Sequence, residues 1–78
     1  MDELTVSVRY VAMLRERRGR DAERLPVAAG TTIGELYDRL FPPPNVPVGY
    51  ARNHAQVSAD QVLADGDEVV FLPPVGGG

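Results

Sequence analysis

The chain has 78 residues, 44% of them hydrophobic and 24% charged, with a formal charge of −3; this fits one small globular domain and excludes a disordered polyelectrolyte. It contains no cysteine, which removes disulfides, thiolate metal sites and cysteine nucleophiles. All eight basic residues are arginine, so no side chain can accept an isopeptide bond or form a Schiff base.

Leu4-Thr5-Val6-Ser7-Val8-Arg9-Tyr10 alternates apolar and polar with period two, which predicts a half-buried strand with Leu4, Val6, Val8 and Tyr10 facing the core. Ala12–Arg18 is rich in helix formers, and Gly19 is placed to end that helix in the left-handed conformation. Arg24-Leu25-Pro26-Val27 reads as a short strand. Pro26 cannot donate to a ladder, which puts the strand at a sheet edge. Thr32 and Glu35 have the spacing of a capping box. Ile33, Leu36, Tyr37, Leu40 and Phe41 then trace one buried helical stripe, and Pro42-Pro43-Pro44 stops it. Tyr50–Arg52 and Ala55–Val57 form two short strands around an Asn53-His54 turn. Asp65-Gly66-Asp67 is a turn, and Glu68–Leu72 a strand apolar on both faces. Two arrangements account for that last strand: both faces covered within the fold, or one face reserved for a partner. The element order predicts an α+β roll, a mixed sheet with one main helix packed across it.

Function is sought first at the end of the chain, Leu72-Pro73-Pro74-Val75-Gly76-Gly77-Gly78. Two prolines hold the chain extended, and glycines lack the Cβ that would bar a narrow channel. From Pro73 to Gly78 an extended chain reaches ~20 Å at ~3.3 Å per residue. Division at residue 72 therefore gives a folded domain, 1–72, and a tail, 73–78. A bare Gly-Gly-Gly reads as a frayed end; the stiff Pro-Pro-Val before it shifts the reading toward presentation of the Gly78 carboxylate to a partner's active site. A carboxylate ionised at neutral pH is a poor electrophile and must first be activated. No phosphate-binding loop is present to do this in cis.

Other candidates are weaker. His54 has no second histidine and no cysteine to share a metal with, and reads as a turn residue. Asp65-Gly66-Asp67 lacks the ligand spacing of a calcium loop. Arg15, Arg17, Arg18, Arg20 and Arg24 form a basic patch, read as a solvated face ahead of a docking site for an acidic partner. The expectation is no metal site, no nucleic-acid partner, no membrane segment and a soluble protein of the cytoplasm, since the start Met1-Asp2-Glu3 is not basic and the longest apolar run, Val69–Val75, is far below the ~20 residues that span a bilayer.

The segment from Asp65 to Gly78 resembles the C-terminus of the MoaD/ThiS family of sulfur carriers, in particular the small subunits of molybdopterin synthase. Tyr10–Glu16 closing at Gly19, Thr32-Ile33-Gly34-Glu35-Leu36 and Ala51-Arg52-Asn53 extend the resemblance, in the same order, over nearly the whole chain. The resemblance implies a ubiquitin-like β-grasp fold and a non-catalytic sulfur-donor role. An E1-like enzyme using ATP and magnesium would adenylate Gly78. A desulfurase- or rhodanese-type donor would convert it to a thiocarboxylate. The tail would then deliver sulfur to cyclic pyranopterin monophosphate in a MoaE-like large subunit, within a heterotetramer. It further implies that Gly77 and Gly78 are the modified end, that Pro73, Pro74, Val75 and Gly76 line the insertion, and that Phe71 and Leu72 belong to the docking surface. This chain departs from the family pattern at Gly76, usually Ser, Thr or Ala, and at Arg52, usually apolar. A carrier for another pathway (thiamine thiazole, cysteine or transfer-RNA thiolation), a ubiquitin-like protein modifier and a plain interaction module remain the alternatives.

Overall fold

The computed structural model describes residues 2–74. The strands are β1 (Glu3–Arg9), β2 (Ala22–Ala28), β3 (Gly49–Arg52), β4 (Ala55–Val57) and β5 (Glu68–Leu72). The helices are α1 (Ala12–Arg18), between β1 and β2, and α2 (Ile33–Leu40), between β2 and β3. The sheet order is β2-β1-β5-β3-β4. Only the central pair, β1 with β5, is parallel; β1–β2, β3–β5 and β3–β4 are antiparallel. This is the ubiquitin-like β-grasp roll expected from the sequence.

Local chemistry explains the elements. The Thr32 hydroxyl accepts from the Glu35 amide at 3.1 Å, and the Glu35 carboxylate accepts from the Thr32 amide at 2.9 Å, so two otherwise orphaned helix donors are satisfied. Gly19 caps α1 at φ 72°, its N–H donating to the Arg15 carbonyl at 2.8 Å. Asn53 and His54 take positive φ in the β3–β4 turn. Pro26 lies on edge strand β2, opposite Thr5. That strand is longer than its apolar stretch suggested, running from Ala22 to Ala28, because all seven residues pair with β1.

One layer of side chains joins the helices to the sheet. Val6, Val8, Val27, Val69 and Phe71 from the strands meet Leu14 of α1 and Ile33, Leu36, Tyr37 and Leu40 of α2. The Tyr37 ring lies 5.1 Å from Phe71 and 5.3 Å from Phe41. Gly34 admits the loop beneath α2: its N–H donates to the Ala59 carbonyl at 2.9 Å, and a Cβ there would collide with that same oxygen. No helix among the described residues is long and apolar enough to cross a membrane.

Candidate functional site

Strand β5 is the middle strand of the sheet, and its end is where the chain leaves the fold. Its inner side chains, Val69 and Phe71, are fully buried. Its outer side chains differ: Val70 is half-buried and Leu72 is 43% exposed. The helices cover one face of the sheet only. Of the two arrangements the sequence allowed for this strand, the one with a face left open is found.

The start of β5 is pinned by a polar cluster. Asp67 is only 4% exposed. Its carboxylate accepts from the Ala64 amide at 2.7 Å and from the Asn53 side-chain amide at 2.9 Å, and pairs with the Arg52 guanidinium at 3.2 Å. Asn53 completes the cluster by accepting from the Glu68 amide at 2.8 Å. The β3–β4 turn is thereby locked to the first residue of β5. The Ser7 amide donates to the Asp67 carbonyl at 2.9 Å, which ties β1 in as well. Arg52, an oddity in the sequence, has its explanation here: it neutralises a buried carboxylate.

A second cluster ties α1 to the edge strand β2. Glu23 accepts from the Tyr10 hydroxyl, from Arg18 at 2.6 Å and from Arg20 at 3.1 Å. Burial alone would raise the Glu23 carboxyl; hydrogen bonds from Tyr10 and Arg18 outweigh it and hold the group below the ordinary carboxylate range. Burial, reinforced by the Glu23 contact, raises the Tyr10 phenol far above its ordinary value.

The residues singled out in the sequence divide into three sets. Leu72 and Pro74 are exposed and Pro73 is half-exposed, a contiguous stretch along the strand exit. Phe71 must be corrected. Its ring is wholly buried among Tyr37, Tyr50 and the core valines, so its side chain supports the strand from inside and offers nothing to a docking partner. Val75, Gly76, Gly77 and Gly78 lie outside the described residues. His54 sits in its turn with its ring exposed, 3.1 Å from Glu68. No group of His, Cys, Asp and Glu that could hold a metal occurs among the described residues. Sequence reasoning missed Asp67 as a buried anchor. The available signal was Arg52, a charged residue in an otherwise apolar strand position.

A β-grasp roll whose central strand runs beside an open face into a proline pair has the ubiquitin-like fold. The ThiS family model matches residues 8–78, and the chain belongs to the ThiS family. Among solved structures it is similar to a protein described as molybdopterin converting factor, subunit 1, from Pyrococcus furiosus (29% identity, TM-score 0.79, covering 92% of this chain and 99% of that one). It is also similar to a chain in the complex of subunits 1 and 2 of the molybdopterin-converting factor from Helicobacter pylori (27% identity, TM-score 0.57, covering 96% and 100%). Small archaeal modifier protein 1 from Haloferax volcanii shares the fold (22% identity, TM-score 0.78, covering 92% and 99%). No curated protein sequence matches the chain.

Proposed function

We propose that this chain is the sulfur-carrier subunit of a molybdopterin synthase, with Gly78 as its reacting terminus. An E1-like enzyme brings ATP and magnesium. A Gly78 carboxylate oxygen attacks the α-phosphorus of ATP, pyrophosphate leaves, and an acyl-adenylate results. A persulfide sulfur on the donor enzyme attacks the acyl carbon and AMP leaves; a thiol then cleaves the S–S bond, giving the thiocarboxylate and a disulfide. The tail next enters a large subunit and gives its sulfur to cyclic pyranopterin monophosphate. The chain supplies no catalytic side chain. It contributes a stiff, narrow tail and a docking face.

The observation that carries this reading is the exit of β5: exposed Leu72 continues the central strand directly into Pro73-Pro74, beside an open sheet face. The likeness to the Pyrococcus protein and to a subunit of a two-subunit converting factor supports this reading. The archaeal modifier shares the fold, and conjugation of Gly78 to a target lysine is the second reading.

Intact mass after incubation with ATP, the host's activating enzyme and a sulfur donor tests the proposal. A gain equal to one oxygen replaced by sulfur, mapped to Gly78, followed by loss of that sulfur when the large subunit and precursor are added, is the expected result. A conjugate between Gly78 and a lysine, with no sulfur exchange, would establish the modifier instead. A Gly78-deleted chain that still supported molybdopterin formation would rule out the carrier role.

A further inference from the structure

Strand β5 has a neighbour on each side, and two hydrogen bonds at its start show which residues face which. The Ser7 amide of β1 donates to the Asp67 carbonyl at 2.9 Å. The amide of Asn53, just after β3, donates to the Glu68 carbonyl at 2.8 Å. Backbone groups turn to alternate sides along a strand. Asp67, Val69, Phe71 and Pro73 therefore face β1, whereas Glu68, Val70, Leu72 and Pro74 face β3. Asn53 with Glu68 continues the register of Ala51 with Val70 and Gly49 with Leu72, so these are the pairs that exchange hydrogen bonds between β3 and β5.

The next bonding position on each side is a proline. Toward β1 the donor after Phe71 falls at Pro73, and toward β3 the donor after Leu72 falls at Pro74; neither has an N–H. A strand with two neighbours needs two consecutive prolines to end both ladders, because one alone stops only the side it faces. The facing strands are closed as well. Two residues beyond the Gly49–Leu72 pair, the β3 register sets Pro47 opposite Pro74, so neither residue of that pair can donate. On the β1 side the Val11 carbonyl already accepts from the Leu14 amide at 3.1 Å.

Pro26 shows the opposite use of the same residue. Its partner Thr5 gives its amide to the Asp65 carboxylate and its carbonyl to the Gly66 amide, both at 2.8 Å, in the turn that leads into β5. Pro26 therefore faces the free edge of β2 and costs the sheet no bond. Pro73 and Pro74 instead stand where the bonds of a central strand would form. Their effect is on length. Free of the sheet, Pro73 to Gly78 reach ~20 Å at ~3.3 Å per residue; with Pro73 and Pro74 drawn into β5, the four residues left would reach ~13 Å.

We propose that Pro73 and Pro74, with Pro47 opposite, form a two-sided stop to the β5 ladders that keeps six residues out of the sheet and so sets how far Gly78 reaches. They are positioning residues, acting through the length of free chain. The reach rests on the reading of Gly78 as the reacting terminus; the stop itself does not.

Amide hydrogen exchange read by NMR on the full chain tests the stop. In the Pro73→Val/Pro74→Val variant the new amides at these two positions should exchange about tenfold or more slowly than in the unfolded chain. Cross-strand contacts to Pro47 and Val48 should accompany them, and the melting midpoint should stay or rise. A synthetic chain with N-methylalanine at both positions loses the rings but gains no donor, and should show no such contacts. Unprotected amides in the double variant would overturn the stop, and so would a strand that lengthens with N-methylalanine. ATP-dependent adenylation, followed by pyrophosphate release, reads the reach. The double variant should lose about tenfold or more in kcat/KM, and two glycines inserted after Val75 should restore it. A variant with both amides protected and wild-type kcat/KM would overturn the claim on reach. A wild-type chain that the enzyme does not adenylate at all would overturn the function proposed above and the reach with it, while exchange alone decides the stop.

Discussion

Phe71 and Leu72 are neighbours on β5, similar in hydropathy, and the fold uses them in opposite ways. Phe71 points under α2 and is completely buried; Leu72 points to the open side and is 43% exposed. One face of the strand holds the domain together, and the other is left for whatever meets the tail. The same division runs across the sheet. Val8 and Val69 pair on the inner face, while Arg9 and Val70 pair on the outer one. A strand of this kind transmits function by staying rigid: its inner residues fix where the outer ones and the tail stand.

Substitutions can break that contrast, and the largest effect belongs to the inner face. Phe71→Ala should cost about 3–5 kcal/mol, the usual penalty for emptying a buried aromatic site, read by chemical denaturation. Leu72→Ser should cost no more than about 1 kcal/mol, yet weaken capture by the large subunit in a binding titration. Equal stability losses for the two would mean that β5 is covered on both faces in solution.

Next is Asp67→Ala. It strands the Arg52 guanidinium and removes the acceptor from the Ala64 and Asn53 amides, at a cost of about 2–3 kcal/mol. The tail chemistry of the folded fraction should be unchanged in the mass assay.

Glu23→Gln sharpens the comparison through pH. The folded carboxyl is held below its ordinary value, so its stabilisation is present at neutral pH and is lost as pH falls from ~4.3 through the folded pKa. The variant should lose about 1–2 kcal/mol at neutral pH and show a shallower decline on acidification; an unaltered acid limb in thermal melts across pH would contradict this. Thr32→Ala should have the smallest effect on stability among these fold-directed changes, about 1 kcal/mol from the lost helix cap, measured as a shift in the melting midpoint.

Much of the fold is legible in the sequence because it rests on short-range rules. The alternation through Val6, Val8 and Tyr10, the Thr32–Glu35 box, the left-handed Gly19 and the Asn53-His54 turn each depend on residues a few positions apart, and each appears where expected. What sequence reading misses is set by register between distant strands. The Arg52–Asp67 pair exists because β3 lies antiparallel to β5 with Arg52 opposite Val69. The choice between Phe71 and Leu72 as the outward residue depends on which side of the sheet α2 covers. Period-two alternation tells the two faces apart without naming the buried one. At the site, the proline exit is plain from residue types, whereas the exposure of Leu72 next to the buried Phe71 shows only once the helices cover one face of the sheet.

The parallel pairing of β1 with β5 also has a mechanical consequence. Asp2, just before β1, and Pro74, just after β5, lie at opposite ends of two strands that run side by side in the same direction. Tension between these two points acts along the strands, at a steep angle to the hydrogen bonds that join them. Those bonds are loaded together, in shear, rather than peeled apart one after another. Forced unfolding is governed by the unfolding barrier rather than by equilibrium stability. A pull on the tail is therefore carried straight into the middle of the sheet, where the two neighbouring strands grip it from both sides.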